Sequence, residues 1–132
     1  MELKVNDYVR TKLGISKLID INIIINEKEY QFDKPVSTYS SMFEFDYRYE
    51  LDEEELKDNI IKSSPNIIDL IEVGDYVNGS KVVDIAHAPT KTIYTEQKEA
   101  CALIPITKDK LKSILTKEQF KSMEYKLWQK KG

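Results

Sequence analysis

The chain has 132 residues, enough for one domain or for two small halves sharing a core. Its 41% hydrophobic and 33% charged residues, with a net charge of −3, describe a soluble globular protein and argue against a strongly basic nucleic-acid coat. No run approaches the ~18 consecutive apolar residues of a membrane span. The opening MELKVNDYVR is charged where a signal peptide has its apolar core, and the single cysteine, Cys101, rules out a disulfide within the chain, so the expected location is the cytoplasm.

Val5–Arg10 reads as a strand and Thr11–Gly14 as a turn, with Gly14 free to take positive φ. Lys17–Ile25 has the β-branched bias of a buried strand. Asn26–Glu29 reads as a hairpin tip, Tyr30–Phe32 as the returning strand, and Pro35 interrupts the ladder. In Phe43–Leu51, Phe43, Phe45, Tyr47, Tyr49 and Leu51 alternate with Glu44, Asp46, Arg48 and Glu50. Such alternation predicts one half-buried antiparallel strand with its aromatic face on the core. An exposed stacking platform for bases is the competing reading, but such platforms sit among basic residues and this one sits among acids. Asp52–Asp58 predicts a short helical turn with Leu56 inward. Ser64-Pro65 predicts an N-cap followed by proline at the first helical position.

VGDYVNGSKVVDI, Val73–Ile85, repeats VNDYVRTKLGISKLIDI, Val5–Ile21, at an offset of 68 residues and with four residues fewer between the matched halves. Val5, Asp7, Tyr8 and Val9 match Val73, Asp75, Tyr76 and Val77. Lys17, Asp20 and Ile21 match Lys81, Asp84 and Ile85, with Leu18 and Ile19 standing for Val82 and Val83. A fixed-period echo of this kind indicates two related units. Asn78-Gly79 is a hairpin signal. Thr92–Thr95 and Ala100–Ile106 supply further apolar segments, and Thr116 with Gln119 fits a capping box. Phe120, Met123, Leu127 and Trp128 fit one helix face, while Met123, Tyr125 and Leu127 fit a strand equally well; by analogy with Ile68–Val73 the reading is a short helix at Lys117–Ser122 followed by a strand. The expected fold is mainly β with short helices: two SH3-like β-barrel units in tandem, residues 1–71 with an acidic insertion and 72–132 with a lysine-rich end, or one pseudo-symmetric barrel.

The blocks Lys4–Lys12 (KVNDYVRTK), Ile61–Gly79 (IKSSPNIIDLIEVGDYVNG) and Leu115–Tyr125 (LTKEQFKSMEY) resemble small, uncharacterised proteins carried by phages and prophages of Gram-positive bacteria. Ile23–Asp58 and Ala86–Lys110 are not covered, and Asn6 stands where those proteins usually have glycine. The resemblance implies a phage or prophage origin and brings no catalytic residues.

Chemistry is sparse. His87 and Cys101 are the only histidine and cysteine; the expected roles are a loop side chain and a small buried residue rather than a nucleophilic pair. The ligand sets of zinc and calcium sites are missing, so no metal, cofactor or catalytic residue is expected, and the paired Asp7/Asp75 and Asp20/Asp84 are read as turn or ladder residues. Charge is more informative. Residues 44–58 carry a net −6 and residues 108–132 a net +5. These patches could solvate the surface or face each other. The sharper expectation is a partner-binding acidic strip, Glu44, Asp46, Glu50, Asp52, Glu53, Glu54 and Glu55, that occupies a basic groove on a host protein. A nucleic-acid-binding defence enzyme such as a CRISPR effector fits that description. The alternatives are a nucleic-acid-binding SH3-like module using Lys117, Lys121, Lys126, Trp128, Lys130 and Lys131, and a virion structural or scaffold component.

Overall fold

A computed structural model describes residues 2–87, 91–96 and 103–122. The first half runs β1 (Tyr8–Thr11), β2 (Gly14–Ile24), β3 (Glu27–Phe32), β4 (Ser37–Ser40), β5 (Phe45–Arg48), β6 (Glu50–Asp52), α1 (Glu53–Asn59), β7 (Lys62–Ser64) and a 3-10 turn, Ile67–Leu70. The second runs β8 (Tyr76–Val77), β9 (Ser80–Ala86), β10 (Thr92–Glu96), β11 (Leu103–Ile106), a 3-10 turn at Lys108–Lys110, β12 (Ile114–Leu115) and α2 (Lys117–Ser122). The mainly β expectation is borne out.

Two five-stranded antiparallel sheets carry the repeat. Their orders are β6-β3-β2-β1-β7 and β11-β10-β9-β8-β12, the same meander with a final strand returned to the outer side of the first. Neither sheet is closed into a barrel: no pairing joins β6 to β7 or β11 to β12 among the described residues. In the first sheet the three-residue β6 runs straight into α1, which separates it from β7 along the chain.

The repeated residues perform repeated tasks. Asn6 N–H donates to the Leu18 carbonyl and Gly74 N–H to the Val82 carbonyl, both with positive φ at the donor, 81° and 99°. The carboxylates of Asp7 and Asp75 accept from the N–H three residues earlier, of Lys4 and Glu72. Pairing slips by one residue at Ile19 in β2 and at Val83 in β9, so the matched pair Ile19/Val83 is bulged in both copies. Asp20 and Asp84 follow those bulges and accept from the next N–H, of Ile21 and Ile85. The expected turn and ladder roles of all four aspartates are therefore observed.

Each sheet has its own core. Leu3, Val9 and Leu18 sit with Tyr30, Phe32, Val36, Leu51, Leu56 and Ile60 in the first. Their counterparts Ile71, Val77 and Val82 sit with Ile93 and Ile106 in the second. Helix α1 buries Leu56 as expected and is closed by a capping box between Asp52 and Glu55. Thr116 and Gln119 form the expected capping box, each backbone N–H donating to the partner's side-chain oxygen. Ser64 is not an N-cap. It ends β7, and Asn66 occupies the cap of the 3-10 turn without a side-chain bond.

The main correction concerns Phe43–Leu51. This is not one half-buried strand. It breaks at Tyr49 into β5, which pairs only with β4 as a two-stranded ribbon, and β6, which joins the sheet beside β3. Leu51 is fully buried, whereas Phe43 is 92%, Phe45 60%, Tyr47 52% and Tyr49 46% exposed. The break follows from the anchors. Val36 N–H donates to the Arg48 carbonyl and Phe32 N–H to the Tyr49 carbonyl. These bonds hold the base of the ribbon at the sheet margin, and every residue from 38 to 47 stands exposed beyond it.

Candidate interaction surface and the junction between the sheets

The acidic strip is distributed over three elements. Glu44 and Asp46 lie on the ribbon, Glu50 and Asp52 on β6, and Glu53, Glu54 and Glu55 form the first turn of α1. Carboxylates in a first helical turn face the positive end of the helix dipole, which explains why this acid run is helical. Pairing of β3 with β6 sets Glu29 directly opposite Asp52. A surface cleft of about 420 Å³ opens there, lined by Glu27, Glu29, Glu50, Asp52 and Glu55 with Lys28, Arg48, Leu51, Ile24 and Ile25. Glu27 and Glu29 therefore extend the strip. The sequence signal for them was the acid content of the Asn26–Glu29 tip, which becomes informative only once β3 is known to border β6.

Not every acid in the strip is available. Glu55 takes Arg48 Nη1 at 2.5 Å and closes the capping box with Asp52. That ion pair raises the Arg48 pKa, mainly through the hydrogen bond to Glu55. No ion pair among the described residues joins this strip to the lysines of 108–122.

The strip is flanked by apolar surface. Ile23, Ile24 and Ile25 are exposed at the β2–β3 tip, Ile25 at 90% and with φ 48°. On the ribbon, the Phe45 and Tyr47 rings meet edge to face at 5.3 Å. Soluble monomers rarely leave such residues clustered in water without a use for them.

Of the alternative lysine set, Lys117 and Lys121 lie on α2; Lys126, Trp128, Lys130 and Lys131 fall outside the described residues, as does Cys101. Lys117 Nζ is 2.8 Å from Glu72, and that hydrogen bond raises its pKa. Lys121 is exposed. Phe120 stacks on Tyr76 at 5.0 Å. His87 is exposed. Among the described residues no group of three or more His, Cys, Asp or Glu is placed to hold a metal ion, and no helix is long and apolar enough to cross a membrane.

Sequence reasoning missed the junction between the sheets. Arg10 of β1 is fully buried and uses all five of its N–H groups. Nη1 donates to Asp75 Oδ2 at 2.6 Å and to the Leu70 carbonyl at 2.8 Å. Nη2 donates to Asp75 Oδ1 at 2.7 Å and to Glu118 Oε2 at 2.6 Å, and Nε donates to Glu118 Oε1 at 2.9 Å. Burial opposes every charge in this cluster. The hydrogen bonds outweigh it, so the Arg10 pKa is raised and those of Asp75 and Glu118 are lowered. Asp75 also accepts from the N–H groups of Glu72 and Lys117. Nearby, Lys91 Nζ donates to the carbonyls of Asp69 and Ile71, and burial lowers its pKa.

No family model matches the chain, and neither does any curated protein or solved structure.

Proposed function

We propose that this chain is a non-enzymatic binding protein that acts on another protein through the acidic, aromatic surface of the first sheet. The observation that carries this reading is the ribbon at residues 38–47: its aromatic side chains are turned to solvent and it carries Glu44 and Asp46 with no basic residue. A two-stranded ribbon of this kind gains little stability by itself, so its retained apolar content fits recognition better than folding. The cleft carboxylates beside it give the surface a negative potential suited to a basic partner.

The sequence resemblance supports a phage or prophage origin and action in the host cytoplasm. A host protein with a nucleic-acid-binding groove, such as a CRISPR effector, is the partner class that joins that origin to this charge. The matching strand orders of the two sheets, each with its fifth strand beside the first, support reading the units 1–71 and 72–132 as open relatives of the SH3-like barrel.

Capture from nuclease-treated host lysate tests the reading. The tagged chain should retain one stoichiometric protein, and Glu53→Lys with Glu54→Lys should release it as salt does. These two positions are chosen because Asp52 and Glu55 also cap α1. Recovery of nucleic-acid-associated proteins alone, lost on nuclease treatment, would overturn it.

A further inference from the structure

The ribbon has a free edge whose chemistry can be read. Among the described residues, strands β4 and β5 form a sheet of two, with no third strand hydrogen-bonded to either. Ser41 N–H donates to the Glu44 carbonyl at 2.8 Å. In an antiparallel ladder the hydrogen-bonded pairs alternate, so the pairs that bond inward are Tyr39 with Asp46 and Ser37 with Arg48. The backbone groups of Phe45 and Tyr47 point away from β4. In keeping with this, Tyr47 N–H donates to the neighbouring Asp46 carboxylate, at 2.9 Å.

Side chains at this edge alternate by face. Phe45 and Tyr47 share one face and Asp46 lies on the other. Native proteins protect open edges with charged side chains, above all lysine, with proline or with a covering element; over Phe45–Tyr47, β5 carries neither lysine nor proline, and its one charge, Asp46, repels an acidic strand while attracting a basic one. An incoming strand would set apolar side chains beside Phe45 and Tyr47 and basic ones beside Asp46 and Glu44.

We propose that the outer edge of β5 docks an extended segment of a partner protein in which apolar residues alternate with Lys or Arg, added to the ribbon as a third strand. Main-chain bonds at Phe45 and Tyr47 would hold the segment, and the alternation would select it. A second copy of this ribbon is the poorer occupant, because it would bring Glu44 and Asp46 against their own kind. The inference rests on the reading of this surface as a protein-binding site and adds the manner of binding.

The probe is an end-capped peptide of about eight residues, the length of an ordinary strand, alternating lysine and valine. A glutamate–valine peptide and oligolysine of the same length serve as controls. Amide hydrogen exchange is followed in the whole chain. The lysine–valine peptide should slow exchange at Phe45 and Tyr47 at least about tenfold, and the glutamate–valine peptide should not. Equal binding of oligolysine with no protection at those amides would overturn the proposal, leaving charge alone. Protection that appears without peptide as protein concentration rises would also overturn it, in favour of self-pairing.

Tyr47→Pro removes one outward donor and leaves the inward pairs of the ribbon intact. It should weaken peptide binding at least about tenfold and release the partner captured from lysate. If Tyr47→Pro still captures the partner while Glu53→Lys with Glu54→Lys loses it, strand addition fails and the acidic-surface reading stands. If both variants capture it, that reading fails as well.

Discussion

Arg10 and Asp75 meet end-on, Nη1 to Oδ2 at 2.6 Å and Nη2 to Oδ1 at 2.7 Å, with both side chains fully buried. The pair joins the two sheets, and Asp75 is the repeat counterpart of Asp7. In the first copy that aspartate takes, among the described residues, only the Lys4 N–H. In the second it keeps the equivalent bond from Glu72 and adds the guanidinium. The same turn aspartate thus serves, in the second copy, also as the anion of an ion pair between the two sheets.

Acid should weaken the molecule through this cluster. The Asp75 and Glu118 pKa values are lowered because, although burial raises them, their hydrogen bonds to Arg10 favour the charged forms. A carboxylate with a depressed folded-state pKa contributes stability that is fully present above its unfolded value, about 4, and lost as pH falls through the folded value. Urea midpoints should therefore be flat near neutrality and fall below about pH 4. Asp75→Asn should be less stable at neutral pH and lose less on acidification. Parallel acid limbs in the two proteins would remove the pair from the account.

Arg10→Met should be the most damaging single change at the junction. It leaves the Asp75 carboxylate buried without its cation, at a cost of about 3–5 kcal/mol. Adding Asp75→Asn removes the buried charge and keeps an acceptor for one of the two N–H groups, Glu72 at Oδ2 or Lys117 at Oδ1; it should recover about 1–3 kcal/mol of that loss. Chemical denaturation of the four proteins in this cycle gives the coupling directly. Additive losses would mean that the two groups do not interact.

The repeat, the Thr116–Gln119 capping box, the Asn78-Gly79 turn and the four aspartates were legible because each is a local rule with a short span. Asn78 and Gly79 both adopt positive φ, as the two-residue hairpin requires. Arg10 was illegible for the opposite reason. Its acceptors lie 60, 65 and 108 residues away, and its repeat counterpart is Asn78, an uncharged turn residue whose side chain bonds the backbone of Lys110, Lys112 and Ser113 instead. The aromatic alternation was visible and misassigned, since period-two patterning reports that a strand has two faces and not that either face is covered. What decided the matter was the anchoring of Phe32 and Val36 to Tyr49 and Arg48, which breaks the run and leaves only Leu51 inside.

Asn6→Gly should be tolerated and mildly stabilising. Asn6 sits at φ 81°, where its counterpart is Gly74 at 99°. Left-handed backbone costs a side-chain-bearing residue roughly 1 kcal/mol, and glycine is free of it. Asn6→Ala should lose about the same amount, because alanine lacks the local hydrogen bonding that lets asparagine adopt this conformation. Thermal melts of the two variants should shift in opposite directions.

Gly14→Ala should destabilise by more than about 1 kcal/mol. Its φ is 122°, and a Cβ placed there would stand 2.6 Å from the Gln119 side chain of α2. The same Gln119 closes the capping box with Thr116, so moving it aside weakens the helix that also supplies Glu118 to Arg10. A melting temperature equal to that of the parent chain would show that α2 does not pack against the β1–β2 turn.

Phe43→Ser with Phe45→Ser separates the two readings of the aromatic run. Were these rings core residues, their loss would cost about 3–5 kcal/mol each. They are 92% and 60% exposed, so stability should move by less than about 0.5 kcal/mol per site, as at most surface positions. Leu51→Ala, in the same run but fully buried, should cost about 2–5 kcal/mol. Partner capture should show the reverse order: lost in the double serine variant, whose fold is intact, and retained by whatever fraction of Leu51→Ala remains folded. A double serine variant that unfolds would place the rings back in the core. One that folds and still captures the partner would leave the acidic groups as the recognised feature and the aromatics without a role in it.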